Sequence, residues 1–343
     1  MARSVAARRE AVLRIIVNGY VATAQPVASE VIYRNYDLGV SPATIRNDMA
    51  YLEREGYITR PHTSAGGVPT DKGYRRYVES LAKKYELPFE EQYRIQELFR
   101  EVSEGIERWL KLAAMVMSHL VRSAAVVTFP KPSRCRFRHL ELVALHEFLA
   151  LMVLVLSEAI LKRRLLSFNE QVTQAELTSI AGRLNSLCFG QTSFEISKKR
   201  LELTPREGQV LEAVLDIMRA EDEAEYEEPY FEGIRLMLDQ PEFARRERML
   251  SVMELFETRE WISSTLAKWS GDVGVQVVIG GEHGDEVFQD LSLVFSRYGV
   301  PGRASGALGV IGPTRMDYRR AISTVDYMSQ VLSDLVSRVC AGD

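Results

Sequence analysis

Residues 41–79 constrain this chain more than any other stretch, because a short helix closed by a glycine there feeds directly into a basic hairpin. Ser41 stands where its hydroxyl can accept from the first free amides of a helix. Pro42 follows at the first helical position, where a missing N–H costs nothing. Ile45, Met49 and Leu52 then recur at helical spacing and predict one narrow buried stripe. At about 100° per residue, Asn47, Tyr51 and Arg54 project away from that stripe, with Thr44 and Arg46 on its flanks. A solvated helix face ordinarily mixes Glu with Lys. Thr, Arg and Asn near the N-terminal end are instead the side chains that meet base edges and phosphates in a DNA groove. Gly56 supplies the stop, as a C-terminal glycine does.

The flanking residues complete a compact head. Residues 5–19 place Val5, Val12, Ile15 and Ile16 on one side of a helix and Arg8, Arg9 and Arg14 elsewhere, and residues 27–36, after Pro26, predict a second, shorter helix. With 42–55 as the third, this is a helix-turn-helix in which the second helix buttresses the third. Residues 57–60 are strand-like, Ala65-Gly66-Gly67 is a turn and Val68 opens a return strand, which outlines a wing. Residues 71–77, DKGYRRY, then begin another helix and add cations where phosphates would pass. Residues 1–85 carry 13 Lys+Arg against 8 Asp+Glu, whereas the remainder carries 30 against 39. A basic head on an acidic body suits a polyanion partner for the head alone. The excess is modest, so the pattern of the head carries the inference.

At 343 residues, 46% hydrophobic and 26% charged, the chain has material for two or three globular domains. Beyond a linker ending near Leu87-Pro88, residues 90–122 predict a long helix whose Trp109, Leu112, Ala113, Val116 and Leu120 share one core-packing face. Residues 124–129, 139–145, 149–156 and 160–168 are dense in β-branched residues and leucine and predict buried sheet. Residues 174–220 return to helical periodicity, as an insertion between strand blocks would. A helical stretch over 243–269, strands at 274–279, 291–295 and 307–311, and a closing helix over 319–339 follow. That helix carries Ile322, Val325, Met328, Leu332, Leu335 and Val339 at core spacing.

Several function classes find no support. Residues 1–10 are charged and lack an apolar run, so no secretory signal is expected, and the most apolar run, 148–156, is far shorter than the about 20 residues that span a bilayer. The cytoplasm, at the nucleoid, is the expected location. Cys135, Cys188 and Cys340 lie far apart, and His62, His119, His139, His146 and His283 are equally scattered, so no zinc site or disulfide framework is expected. Residues 280–286, GGEHGDE, group a histidine with three acids, but neighbours on a turn rarely converge on one atom, and a polar loop is expected. Residues 302–312 lack the Gly-Lys-Ser/Thr end of a phosphate loop. The acidic run 221–232 reads as a solvated loop. Thr314-Arg315-Met316-Asp317-Tyr318 form an exposed set entering a helix. It either contacts another domain, a partner or a ligand, or closes on itself as a cap with an Arg315–Asp317 surface interaction. No serine or cysteine has a nucleophile's partners. Neither catalysis nor a cofactor nor a metal is expected.

Through its ATIRNDM, LEREGYI, PHTSAG and PTDKGYR segments, the run 41–77 closely resembles the HrcA family of heat-inducible transcription repressors. Two distant blocks agree: GVIGPTRMDY at 309–318 resembles that family's C-terminal signature, and Gln240-Pro241-Glu242-Phe243 resembles another family segment. The resemblance implies an α+β multidomain fold. A winged helix-turn-helix would span 1–85, and a GAF-like α/β sheet domain would lie in two parts, 86–156 and 226–343. An inserted, largely helical dimerisation domain would interrupt it over 157–225. The implied partners are double-stranded DNA bearing an inverted-repeat operator of the CIRCE type upstream of chaperone genes, a second copy of the chain, and the GroE chaperonin that modulates repression; no membrane is implied. Arg46 is then expected at a guanine or phosphate, Asn47 at an adenine edge, and Arg60, His62, Lys72 and Arg75 at backbone phosphates. Ser41, Thr44, Tyr51, Arg54 and the wing residues Thr63 and Ser64 complete the expected DNA-binding set. The family ordinarily carries arginine where Gly67 stands, so a wing-tip contact is expected to be missing, and asparagine where His283 stands. An alternative keeps the DNA-binding head and makes the GAF-like domain a small-molecule sensor.

Overall fold

The computed structural model describes residues 4–62, 65–81, 86–102, 105–132, 135–157, 160–199, 201–223, 229–258, 274–284, 288–300 and 303–341. The chain opens with α1 (Val5–Thr23), α2 (Ser29–Asn35) and α3 (Pro42–Arg54), the first capped by the Ser4 hydroxyl, which accepts from Ala7 N at 3.2 Å. β1 (Ile58–Thr59) and β2 (Val68–Pro69) pair antiparallel, and α4 (Asp71–Ser80) starts from a Thr70 cap. The helix expected over 90–122 is two helices, α5 (Phe89–Glu101) and α6 (Ile106–Val121). Val102 is extended and Gly105 has φ +154°, a conformation closed to most side chains, so the apolar period continues through a backbone that cannot. Next come β3 (Ala124–Val127), β4 (Lys131–Pro132), β5 (Phe137–His146), β6 (Leu149–Leu156) and β7 (Leu161–Ser167). Helices α7 (Gln174–Cys188), α8 (Ser193–Lys198) and α9 (Pro205–Glu223) lead to β8 (Tyr230–Glu232), α10 (Ile234–Leu238) and α11 (Arg246–Thr258). The helical expectation for 259–269 lies outside the described residues. β9 (Gln276–Ile279), β10 (Leu291–Val300), β11 (Ala304–Pro313) and α12 (Tyr318–Ala341) close the chain.

Contacts divide the chain into two compact units. The first comprises Met1–Phe129, Glu227–Gly299 and Gly306–Asp343. It holds the head, α1 to α4 with its two-stranded wing, and a sheet of order β8-β3-β11-β10-β9. Ala124, Val126, Phe243, Phe256, Leu293, Phe295 and Ile311 form a core on this sheet. α12 packs along α6. Its buried line runs through Val325, Met328, Leu332 and Val336, while Val339 is exposed, because a straight helix drifts off a 3.5-residue repeat.

The second unit comprises Pro130–Tyr226 and Val300–Ser305. β5, β6 and β7 form an antiparallel meander whose Leu140, Leu142, Met152, Leu154 and Leu166 face a core shared with Leu177, Leu184, Val210, Val214 and Met218 of the helices. This second unit is sheet and helix together. α7 also closes one sheet edge: Asn185 exchanges hydrogen bonds with the Leu140 amide and carbonyl at 2.7 and 3.0 Å, and Gln174 does the same for the Ala144 amide and the Leu142 carbonyl. The sheet's other face has no such cover among the described residues. Val143, Leu145, Leu161 and Leu165 are exposed there, with Leu151, Val153 and Val155 half-buried beside them. Among the described residues, no helix is long and apolar enough to cross a membrane.

Candidate nucleic-acid interface

α3 begins as its sequence directs. The Ser41 hydroxyl accepts from Thr44 N at 3.3 Å and lies 3.1 Å from the Thr44 hydroxyl, so both side chains are partly engaged in the cap. Ile45, Met49 and Leu52 are buried, and on the far side Ala43, Arg46, Asn47, Ala50 and Arg54 are exposed. Ala43, Asn47, Ala50 and Arg54 follow one another along a single strip. The two alanines let the helix backbone approach a groove floor while Asn47 and Arg54 protrude. The Arg54–Glu55 contact, 3.7 Å and exposed, restrains Arg54 little.

The sequence reading misses one residue of α3. Asp48, only 2% exposed, accepts from Arg8 Nε at 2.6 Å, Arg8 Nη2 at 3.3 Å and Arg9 Nε at 3.2 Å. These bonds tie α3 to α1 and fix which side of α3 faces outward. The available signal was an aspartate one residue before Met49, inside the buried sector of the helix. Tyr51 is half-buried rather than free, because the Arg9 guanidinium carbon lies 3.5 Å over its ring centroid.

At the wing, Arg60 Nε lies 3.3 Å from Glu53 Oε2 without hydrogen-bond alignment, and His62 is exposed. Thr63 and Ser64 lie outside the described residues. The expectation for Gly67 is corrected. It is buried at the wing's root and exchanges backbone hydrogen bonds with Val27 at 2.9 and 3.0 Å. A Cβ at Gly67 would meet the side-chain ends of Ile58, Met49 and Ile16 at 3.0–3.4 Å, so an arginine there would start inside the head's core and not at a tip. Gly66 is more tightly held: its Cβ would lie 2.3 Å from the Val27 carbonyl carbon.

α4 divides its charges. Lys72 Nζ donates to Glu55 O at 2.8 Å and lies 4.7 Å from the Tyr57 ring centroid, which puts a cation at the carbonyl end of α3. Arg75, expected at a phosphate, is instead clasped to the sheet part of the same unit. Its Nε donates to Glu282 Oε1 at 2.8 Å, and its Nη2 donates to Glu282 Oε2 and to Val277 O, the latter at 2.7 Å. Asp71 accepts from Gly281 N at 3.0 Å. Gly280 beside it has φ +50°, and a Cβ there would lie 2.4 Å from Asp71 Oδ2. Burial pushes the Glu282 carboxyl up, but hydrogen bonds from Arg75 and the Ile279 amide, with the Arg75 charge, outweigh it and hold the group below the usual carboxylate range. Residues 280–283 form a short 3₁₀ turn, and His283 stacks on Phe288 at 4.9 Å.

The set 314–318, expected to be exposed, is mostly covered: Met316 and Tyr318 are buried, Thr314 and Arg315 half-buried, and Asp317 alone of the five is exposed. Tyr318 is fully buried and its ring lies 5.5 Å from that of Tyr74; burial pushes both phenols up. Arg315, its side chain 12% exposed, pairs through Nε and Nη2 with Glu242 and donates to the Val21 carbonyl at the end of α1. Both alternatives for this set are met in part: Arg315 reaches the head and Glu242, while Asp317 caps the closing helix by accepting from Arg320 N at 3.1 Å. The segments 240–243 and 309–318, distant in sequence, meet at this ion pair.

Residues 107–322 match the family described as HrcA protein C terminal domain, and residues 36–70 match the DeoR-like helix-turn-helix domain. The heat-inducible transcription repressor HrcA of Dehalococcoides mccartyi (strain ATCC BAA-2266 / KCTC 15142 / 195) is 46% identical over 333 residues, 97% of this chain and 96% of that protein. The repressor of the same name from Roseiflexus sp. (strain RS-1) is 40% identical over 340 residues, covering 97% and 94%. A crystal structure of a protein described as hypothetical shares the fold, with a TM-score of 0.61 at 22% identity over 96% of this chain and 98% of that one.

Proposed function

Because the chain belongs to the HrcA family of heat-inducible transcription repressors, we propose that it represses chaperone genes by binding, as a homodimer, an inverted-repeat operator of the CIRCE type. The observation that carries this reading is the open strip of α3, with Asn47 and Arg54 protruding from two alanines and with Arg46, Lys72, Arg60 and His62 around it. In this reading Asn47 reads an adenine edge, Arg46 meets a guanine or phosphate, and Arg60, His62 and Lys72 meet phosphates. Ser41, Thr44 and Tyr51 hold and frame the helix, and Thr63 and Ser64 belong to the wing contact. Arg75 reaches a phosphate only by giving up Glu282. The protein acts in the cytoplasm, as a regulator and not an enzyme.

The apolar face of the β5–β6–β7 sheet supports the dimer. Its central row reads Glu141, Val153, Arg163 across the three strands. Two such faces related by a two-fold axis along β6 would lay each Glu141 over the partner copy's arginine and bury the flanking leucines and valines. This fits a dimerisation role for the inserted unit, and the sheet of the first unit is then the GAF-like domain. The GroE chaperonin keeps the repressor competent in this reading, so heat, by diverting chaperonin to unfolded protein, lifts repression.

Footprinting the full chain on DNA upstream of this organism's chaperone genes tests the proposal. Two protected half-sites related by two-fold symmetry are expected, and protection no stronger than on scrambled DNA would refute it. Operator binding at raised temperature that is indifferent to added chaperonin would remove the regulatory part alone.

A further inference from the structure

We propose that Arg9, on the first helix of the head, is a DNA phosphate-binding residue whose guanidinium is held ready by Asp48 and Tyr51. The proposal rests on the DNA-binding reading above and adds a contact from outside α3 and the wing.

Three observations carry it. Arg8 and Arg9 both reach Asp48, but they differ in what they leave free. Arg8 spends Nε and Nη2 on the carboxylate, whereas Arg9 spends only Nε, and its two terminal amino groups have no partner among the described residues. Its side chain is 31% exposed, so those amino groups can reach an anion from solvent. Secondly, the guanidinium carbon sits 3.5 Å over the Tyr51 centroid, which with the Asp48 bond leaves the long side chain little freedom to lose on binding. Thirdly, the local charge is unbalanced. Arg54 approaches the same ring, at 5.3 Å, so Arg8, Arg9 and Arg54 converge where, among the described residues, Asp48 and Glu55 are the acids paired with them. Three guanidinium groups thus share two carboxylates among the described residues.

The position fits a phosphate rather than a base. Tyr51 lies one turn beyond Asn47 and about 40° round the helix from it. A cation over Tyr51 therefore borders the base-reading strip on one flank, where a strand's backbone runs when α3 enters a major groove.

The test compares the full-length wild type with Arg9→Gln, Arg9→Lys and the body variant Arg248→Gln. Each is titrated on the duplex that the wild type protects, over a range of KCl concentrations, and thermal unfolding is recorded for each. Loss of one phosphate contact per head should lower the slope of log K against log [salt] by about 0.9 per head in Arg9→Gln, with about tenfold weaker binding. Arg9→Lys should keep the slope and recover only part of the affinity, and Arg248→Gln should match the wild type. Unchanged slope in Arg9→Gln overturns the proposal, whether affinity holds or falls together with the melting temperature, since the latter marks a merely structural arginine. A wild type that does not distinguish operator from scrambled duplex sinks the DNA-binding reading and this proposal with it.

Discussion

Asn47 and Asp48 are adjacent, and the step of about 100° between them sends one side chain to solvent and the other beneath α1. Replacing Asn47 with Ala should cost about 1–3 kcal/mol for the operator and leave binding to random duplex almost unchanged, measured by competition titration. Asp48→Ala should act on the fold first. It removes three hydrogen bonds to arginines that water can partly resolvate, so a loss of about 1–2 kcal/mol is expected in urea unfolding. The outward placement of Asn47 and Arg46 was legible in sequence because helical spacing is a local property. Asp48 was not, because its partners Arg8 and Arg9 lie about 40 residues away and only the packing of α1 on α3 brings them in. Gly67 misled for a related reason: sequence places it at the end of a loop, and the Val27 pairing that buries it is non-local.

At the scale of elements, α3 and the wing are read well from sequence because cap, period, stop and turn all sit within a few residues. α4 is harder, since the partner of Arg75 stands 207 residues away. Its clasp also has a pH limit. The Glu282 carboxyl is held below its ordinary range in the folded protein, so its contribution is fully present above the unfolded value of about 4.3 and is lost as pH falls below that through the folded value. The groups acting on it are Arg75, the Ile279 amide and His283. Acidification should therefore open α4 amides to hydrogen exchange at pH values where β10 and β11 remain protected. Glu282→Gln should show that exchange already at neutral pH. The two-helix break at Val102 and Gly105 lies beyond periodicity for another reason: the side-chain pattern does not record a backbone that leaves the helix.

Across the whole molecule, the order of strand and helix blocks was legible, and the grouping of the strands into separate sheets was not. Strength of apolar pattern tells that 137–156 is sheet, but not which sheet it joins; the pairing of β6 with β7 decides that. Val153→Asp, at the centre of the exposed face, should yield a folded monomer by sedimentation. In the proposed dimer the second half-site is gained at the high effective concentration of a linked partner, so operator binding should fall by about a hundredfold or more, while each head keeps its random-duplex affinity. The clasp between α4 and residues 277–282, with Arg315 reaching α1, has a further consequence for how such a chain can be inherited or rebuilt. A head transplanted from a relative must arrive with a matching turn at 280–282 and a carbonyl where Val21 presents one, or it will hang from its tether without a fixed heading. In this protein the reader is not a portable cassette, and recombination that respects only the linker near residue 87 should yield chimeras that fold yet grip DNA poorly.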